Sequence, residues 1–279
     1  MPPHRSALVP LAMAVLLPAL VPTAASATAA LASHRAVYDL SLAARSDELR
    51  SAEGRIVMEL RNACGDYDLT YRFVARFFEE QEVTLTDQRT TSKERVSGDR
   101  FEFETSTLVD GIPQSEVKGT AQNSASATSV KLEKPAEREF ELPLSVFPMN
   151  HTADLIETAE AGGKVVQVSI FDGDQDAQKK LTSTAIILPA PVATTSDEED
   201  GAKTPKREKV LASLAGLKSW YVDESYYSSE SNADGMPIFH STYRLYQNGV
   251  SDDIVLDYGS YALKGSLSRL DYLQPKPCR

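Results

Sequence analysis

The sequence predicts a mainly β protein in which successive strands pair as antiparallel hairpins. Many segments alternate apolar and polar residues with a period of two, which is typical of a sheet with one buried and one solvated face. Asp110-Gly111, Asp172-Gly173 and Asn248-Gly249 each lie between apolar-rich segments, and these dipeptides favour tight hairpin turns. At 279 residues, the chain is long enough for one large β domain or two smaller ones.

The first 27 residues predict a secretory signal peptide. The short basic segment MPPHR precedes an apolar run from Ala7 to Val21, and small residues follow at positions 25–27. We therefore expect cleavage after Ala27. The alternative is a membrane anchor, but the run is short for a bilayer and two prolines interrupt it. No later apolar stretch is long enough to span a membrane, so we expect a mature chain without an integral membrane segment.

The charge of the chain disfavours anionic partners. Removal of residues 1–27 leaves 252 residues and takes away Arg5, so the formal charge changes from −11 to −12. Nucleic acids and anionic lipid headgroups repel such a chain. The sequence therefore predicts no nucleic-acid binding.

The two cysteines, Cys64 and Cys278, predict a disulfide. In a secreted chain, a disulfide is the expected state of two thiols. A structural zinc site needs about four ligands, no C-x-x-C pair is present, and the mature chain has only three scattered histidines. A bridge between these cysteines would fasten the last strand to an early one.

The predicted strands follow one another along most of the chain. They occur in RAVYDLSLA, GRIVMELR, YDLTYRF, RFEFETSTL, residues 163–171, LTSTAIIL, HSTYRLY, DDIVLDY and YALKGSLSRLDYL. Strand patterns also resume in KVLASLAGLKSWYV. The apolar positions of the first three strands are Ala36, Tyr38, Leu40 and Leu42, then Ile56, Met58 and Leu60, then Tyr67, Leu69, Tyr71 and Phe73.

One segment, FPMNHTADLIETAEAGG, predicts a helix. Asn150 is placed to cap its start, Leu155, Ile156 and Ala159 share one face, and Gly162 is placed to end it. The proline-rich and charged stretch near residues 189–206 predicts a disordered loop between two strands, with a docking tail as the alternative.

No catalytic or metal-binding motif is complete. The acids of FDGDQDA resemble a calcium loop, but Ala177 and Ser183 stand where glycine and glutamate are required. Ser115 and Lys118 match S-x-x-K without its partner motifs. The histidines His34, His151 and His240 give no positive sign of a triad. We therefore expect no catalytic residues, no metal and no cofactor.

The aromatic residues of WYVDESYY allow two interpretations. Trp220, Tyr221, Tyr226 and Tyr227 could line a ligand cavity, but such residues at strand spacing more often pack in a core.

Three segments carry a resemblance to a known family. SHRAVYDLSL, the helical segment followed by FDG, and YRLYQNGVSDDIVLDYGSYALKGSLSRLDYL with the terminal cysteine resemble the EipB cell-envelope-integrity family of periplasmic proteins from alphaproteobacteria. The likeness spans essentially the whole mature chain. It departs in the acidic DQD after FDG and in a long charged insertion near residues 195–209.

The resemblance implies one domain over residues 28–279. Its expected fold is a strongly curved, open antiparallel β-barrel, or β-spiral, with one or two packed helices and a disulfide from an early strand to the C-terminus, which falls on Cys64 and Cys278. The expected role is non-enzymatic: to keep the envelope intact under stress by binding or scaffolding. The expected partner is an unidentified periplasmic protein, and the alternative function is to carry a lipid, lipoprotein or other hydrophobic ligand on the concave face.

Overall fold

The structure is a computed structural model that describes residues 30–43, 49–174, 180–191, 205–228, 235–274 and 278. Within these residues, fourteen strands form one antiparallel sheet that curls into a nearly closed barrel, and there are two helices. The predicted mainly β, strongly curved barrel is therefore confirmed. The predicted signal peptide and its cleavage after Ala27 lie outside the described residues.

The first half of the sheet comes before the helix α1 (Pro148–Glu160) and the second half after it. The strands of the first half are β1 (His34–Leu42), β2 (Ser51–Ala63), β3 (Asp66–Phe78), β4 (Val83–Arg95), β5 (Arg100–Val109), β6 (Ile112–Asn123), β7 (Ala127–Lys134) and β8 (Arg138–Pro143). Those of the second half are β9 (Val165–Ile170), β10 (Leu181–Pro189), β11 (Ser219–Ser228), β12 (Phe239–Tyr246), β13 (Ser251–Asp257) and β14 (Ala262–Tyr272).

The chain begins and ends in the middle of this sheet. The strand order is β8-β7-β6-β5-β4-β3-β2-β1-β14-β13-β12-β11-β10-β9, so β1 pairs with β14 at the centre. From there the chain runs by hairpins to the edge strand β8, crosses through α1 to the other edge strand β9, and returns by hairpins to β14. The hairpin pattern of the sequence therefore accounts for most of the topology.

The inner face of the barrel carries the apolar positions of the alternating strands. Ala36, Tyr38 and Leu40 are buried on β1, and Phe73 and Phe77 are buried on β3. Polar residues between them face outward, as at Asp39 and Arg72. The period-two prediction is confirmed for these strands.

Two of the three predicted turns are tight hairpins. Asp110 and Gly111 both have positive φ angles, 51° and 79°, and join β5 to β6, while Gly249 at 84° joins β12 to β13. Gly173 does not lie in a tight hairpin turn, because the ten residues 171–180 separate β9 from β10. A Cβ atom at Gly173 would lie 2.5 Å from the ring of Phe103, so glycine is required there by close packing.

The segment that follows the edge strand β8 contacts the other edge strand, β9. Val146, which follows β8, forms an isolated parallel bridge with Ile170 at the end of β9. Four phenylalanines pack together beside this bridge, with ring centroids 5.2 Å apart for Phe101 and Phe147 and 5.5 Å apart for Phe103 and Phe171. This aromatic contact joins the first half of the sheet to the segments that flank α1.

The second helix, α2 (Pro205–Leu214), corrects the strand predicted in KVLASLAGL. Val210, Leu211 and Leu214 are buried and have helical rather than alternating spacing, and Gly216 follows with a φ of 81°. Arg207 fixes the helix to the sheet, because its guanidinium donates to the Asp252 carboxylate at 2.6 Å. The strand pattern resumes only at β11.

The predicted charged loop near 189–206 is described at its ends alone. Pro189 ends β10, and residues 205 and 206 begin α2. Residues 192–204 lie outside the described residues. None of the helices in the described part of the chain is long and apolar enough to cross a membrane.

A disulfide joins Cys64 and Cys278 across 214 residues of sequence. Cys64 occupies the turn between β2 and β3, with a φ of 59°, and Cys278 follows β14. Since β2 and β14 are the two neighbours of β1, the bridge fastens the strands on either side of the first strand. We call this end of the barrel the disulfide end, and the other end the tyrosine end, after the residues Tyr258 and Tyr261 in the β13–β14 turn.

Candidate functional site

Helix α1 closes the disulfide end of the barrel. Its buried residues Leu155, Ile156 and Ala159 pack against side chains from both halves of the sheet, so the predicted apolar face of the helix is confirmed. The sheet residues in this cluster lie near the disulfide ends of their strands and include the only tryptophan in the sequence. They are Leu60, Tyr67, Val166, Ala185, Ile187, Trp220, Val222 and Leu245.

A buried carboxylate from β4 holds the start of α1. Glu94 is 1% exposed and accepts hydrogen bonds from the backbone N–H groups of Met149 at 2.9 Å and Asn150 at 2.7 Å. These are among the helical N–H groups that have no partner within the helix. The predicted cap at Asn150 is wrong, because the helix starts at Pro148 and Asn150 instead donates through its side chain to Glu94.

Burial changes the proton affinity of this carboxylate. It raises the pKa of Glu94 to about 7, although the bonds from Met149 and Asn150 act in the opposite direction by favouring the ionised form. The carboxyl group that supports the first turn of α1 therefore titrates near neutral pH.

A second buried carboxylate, Glu224 on β11, binds α1 from the other half of the sheet. Oε1 of Glu224 lies 2.7 Å from Nε2 of His151 on the helix, and it also accepts the hydroxyl of Ser183 on β10. Oε2 accepts the hydroxyl of Tyr243 on β12 at 2.8 Å. Glu224, His151 and Ser183 are each at most 3% exposed. We call these four residues the Glu224 cluster.

The hydrogen bonds of this cluster keep Glu224 ionised. Burial alone raises the pKa of Glu224, but the hydrogen bond and charge of His151, together with the Ser183 and Tyr243 bonds, leave that pKa below its ordinary value of 4.5. Burial and the Glu224 charge in turn raise the pKa of the Tyr243 phenol well above 10. Tyr243 therefore stays a hydrogen-bond donor.

The Glu224 cluster brings a histidine, an acid and a serine together, but not in the arrangement of a catalytic triad. In a triad, one imidazole nitrogen takes the serine proton and the other donates to the acid. Here Nε2 of His151 faces the carboxylate and lies 3.4 Å from Oγ of Ser183, the hydroxyl of Ser183 donates to that same carboxylate, and Nδ1 of His151 has no partner among the described residues. These contacts join α1 to β10 and β11.

Sequence analysis missed this cluster. Glu224 is 73 residues from His151 and 41 from Ser183, so no local spacing connects them. The available signal was an acid on the apolar face of a strand. Glu224 lies two residues after Val222 and four after Trp220, so it is on the same buried face of β11.

The other candidate residues stay apart. His34 is buried on β1, and His240 on β12 forms an exposed pair with Asp223. Ser115 and Lys118 lie on β6. In the part of the chain that the structure describes, no three or more His, Cys, Asp or Glu side chains converge as metal ligands would.

The aromatic residues of β11 divide between the two faces of the sheet. Trp220 is buried in the cluster under α1, whereas Tyr221 is 47% exposed on the outer face. Tyr226 faces the interior, where its ring lies 5.5 Å from Phe239. Core packing therefore accounts for Trp220, and Tyr226 is partly buried on the same inner face.

The outer face carries shallow polar grooves. One groove has a volume of about 440 Å³ and is lined by threonine, serine, lysine and glutamate side chains of β4, β5, β6 and β7. Lys118 and Glu133 in this groove form an ion pair at 3.2 Å. Its polar lining is unsuited to an apolar ligand.

Comparison with known proteins agrees with this architecture. The family model described as EipB-like matches residues 25–274. The chain is 37% identical over 255 residues to the cell envelope integrity protein EipB of Brucella abortus (strain 2308), an alignment that covers 89% of this chain and 87% of the relative.

A solved structure is also similar. The crystal structure of a beta-barrel-like protein of domain of unknown function DUF1849 from Brucella abortus matches with a TM-score of 0.78 and 34% identity, over 88% of this chain and 100% of that one. Because the family model and the curated relative both span most of the sequence, the chain belongs to the EipB-like family.

Proposed function

We propose that this protein keeps the cell envelope intact under stress, and that it acts in the periplasm by binding or scaffolding and not by catalysis. The observation that carries the non-catalytic part is the Glu224 cluster. Its serine and histidine are the residues most similar to a catalytic set, yet they are buried and both bond to the carboxylate that holds α1. The name of the Brucella relative supports the envelope part.

Two features support a periplasmic location. The first 27 residues have the basic, apolar and small-residue segments of a secretory signal peptide. A disulfide between distant parts of the chain fits an oxidising compartment, where such bonds form and persist.

Deletion of the gene in its native host tests the proposal. We expect the deletion strain to lose survival on detergent and on a cell-wall antibiotic, and expression of the wild-type chain to restore it. A double variant, Cys64→Ser with Cys278→Ser, should restore survival less well. Survival that is unchanged by the deletion would contradict the envelope role.

A carrier function is the second candidate. The observation in its favour is that Met58, Tyr71 and Leu256 are only partly buried although they lie on the inner face. An acyl chain or peptide could contact them there. Native mass spectrometry of gently purified protein should then detect a hydrophobic ligand, and protein that is consistently free of ligand would count against the carrier.

A further inference from the structure

A row of aromatic rings lines the tyrosine end of the barrel. Phe77 on β3 contacts Tyr261, which contacts Tyr258, then Phe239, then Tyr226, with successive ring centroids 5.4, 5.1, 5.1 and 5.5 Å apart. Three of these four contacts are tilted or edge-on, with interplanar angles of 46° to 64°. Tyr258 and Tyr261 form the stacked pair of this row, with an interplanar angle of 28°, so each of them stacks on its partner through one face.

These rings are not sealed in the core. Tyr258 is 42% exposed, and Tyr226, Phe239 and Tyr261 are partly buried. The hydroxyls of the phenols also remain protonated, because burial raises the pKa of Tyr258 to about 12 and that of Tyr261 above 10. The row offers uncharged aromatic surface at an open end of the barrel.

Two carboxylates reach the same place from the segment that follows β9. Asp174 acts electrostatically on Tyr71 and Tyr258, and Asp172 acts on Tyr226, adding in each case to the larger effect of burial on the pKa of the phenol. Burial, with a smaller contribution from the charge of Asp174, raises the pKa of Asp172 to about 6. Among the described residues, no cation contributes to the pKa shift of Asp172.

Large apolar side chains surround this end on its outside. The β3–β4, β5–β6, β11–β12 and β13–β14 connections all lie at the tyrosine end, because successive hairpins alternate between the two ends. Within the described residues, six large apolar side chains at these connections are 37% to 67% exposed. They are Val83, Leu85, Ile112, Met236, Ile238 and Tyr258. These side chains place apolar surface at the rim of this end of the barrel.

We propose that the tyrosine end binds an amphiphilic organic cation. The ammonium group lies beside Asp174 against the faces of Tyr258 and Tyr261 that do not stack on each other, and the apolar part lies along the exposed rim. Aromatic faces attract ammonium groups through their quadrupole, and nearby carboxylates add charge attraction. This inference rests on the proposal that the protein acts by binding, and it names the chemistry of one ligand class.

Charge complementarity favours a cation over an anionic amphiphile. The acids at this end and the formal charge of −11 both repel an anion. An uncharged acyl chain would use the rim and the rings but would gain no attraction from the charges of Asp172 and Asp174.

Titration calorimetry with matched amphiphiles tests the site. The purified protein, with its disulfide formed, is titrated with octyltrimethylammonium or octyl sulfate, both below their micellar concentrations. We expect the cation to bind with a Kd on the order of 1 mM or tighter, and at least about tenfold more tightly than the anion. Tyr258→Ala should weaken binding of the cation by about threefold or more, the effect of one exposed cation–π contact. Asp174→Asn, which removes one negative charge, should weaken it by a similar factor.

The matched control is Tyr221→Ala. Tyr221 is exposed to nearly the same extent, 47%, but lies on the outer face of β11, so its removal should leave the affinity unchanged. Melting curves establish that each variant is folded. Equal affinities for the two amphiphiles, no effect of Asp174→Asn, or no binding of either would overturn the proposal. Because this assay uses isolated protein, its failure is separate from a failure of the envelope experiment.

Discussion

Replacing Glu224 should test how α1 is held in the barrel. Glu224→Ala removes the acceptor for His151, Ser183 and Tyr243 at once. Three buried donors then lose their partner, and each such loss costs about 1–3 kcal/mol. When His151 is protonated, it forms a buried charged pair with Glu224, and removing one member of such a pair costs about 3–5 kcal/mol. These values overlap, since both count the loss of the His151 contact.

We expect the free energy of unfolding to fall by about 4 kcal/mol. Such a loss is a large part of the 5–15 kcal/mol that typically stabilises a domain, and it corresponds to a fall in Tm of roughly 10 °C for a chain of this size. Glu224→Gln keeps the shape and one acceptor oxygen, so we expect it to lose about half as much.

Urea unfolding followed by tryptophan fluorescence measures this loss. The sequence has one tryptophan, and Trp220 is buried in the cluster under α1. The matched control is Asp223→Ala, which removes the neighbouring acid and its exposed pair with His240 and should cost about 1 kcal/mol or less. If Glu224→Ala and Asp223→Ala unfold at the same urea concentration, the Glu224 cluster does not hold the helix.

Three further predictions concern the same framework. Glu94→Ala, which removes the acceptor of two helix N–H groups, should lower the free energy of unfolding by about 1–2 kcal/mol, and an unchanged urea midpoint would contradict this. Reductant or Cys64→Ser should lower Tm, and the loss in the free energy of unfolding should be at most about 5 kcal/mol for a loop of this length. An identical melting curve would mean that the thiols are unpaired. The two carboxylates should also give opposite pH dependences in urea unfolding from pH 3 to 9. The pKa of Glu224 is lower in the folded state than its unfolded 4.5, so its contribution is complete above pH 4.5 and is lost as the pH falls through the folded-state pKa. The pKa of Glu94 rises from 4.5 to about 7, so its contribution is complete below pH 4.5 and is lost as the pH rises through 7. Glu224→Gln should remove the pH dependence of stability below pH 4.5, and Glu94→Gln should remove that between pH 4.5 and about 7. A variant that keeps the pH dependence in its range would contradict the assignment of that dependence to its carboxyl group.

The strands and their pairing could be predicted because they depend on local patterns. Alternation places Ala36, Tyr38 and Leu40 on one face of β1, and a Gly at positive φ sets the turns at Gly111 and Gly249. The curvature follows only from the family resemblance, and the bridge between Val146 and Ile170 is not predicted at all, since no local pattern records where two edge strands meet.

Contacts across the barrel could not be predicted. The first turn of α1 is supported by Glu94, which is 54 residues before Pro148, whereas local spacing alone points to Asn150 as the cap. The segment KVLASLAGL resembles a strand in sequence, because the burial of Val210, Leu211 and Leu214 depends on tertiary contacts of α2 with β14. The Glu224 cluster joins residues from four separate elements.

The measurement that tests the central claim most directly is the survival on detergent of the deletion strain that expresses Ser183→Ala. If the protein acts by binding and not by catalysis, this variant should restore survival to the level given by wild type and by a control, Ser225→Ala on β11. Immunoblots and melting curves ensure that each variant is present and folded. A folded Ser183→Ala protein that fails to restore survival, while Ser225→Ala succeeds, would contradict the non-catalytic account.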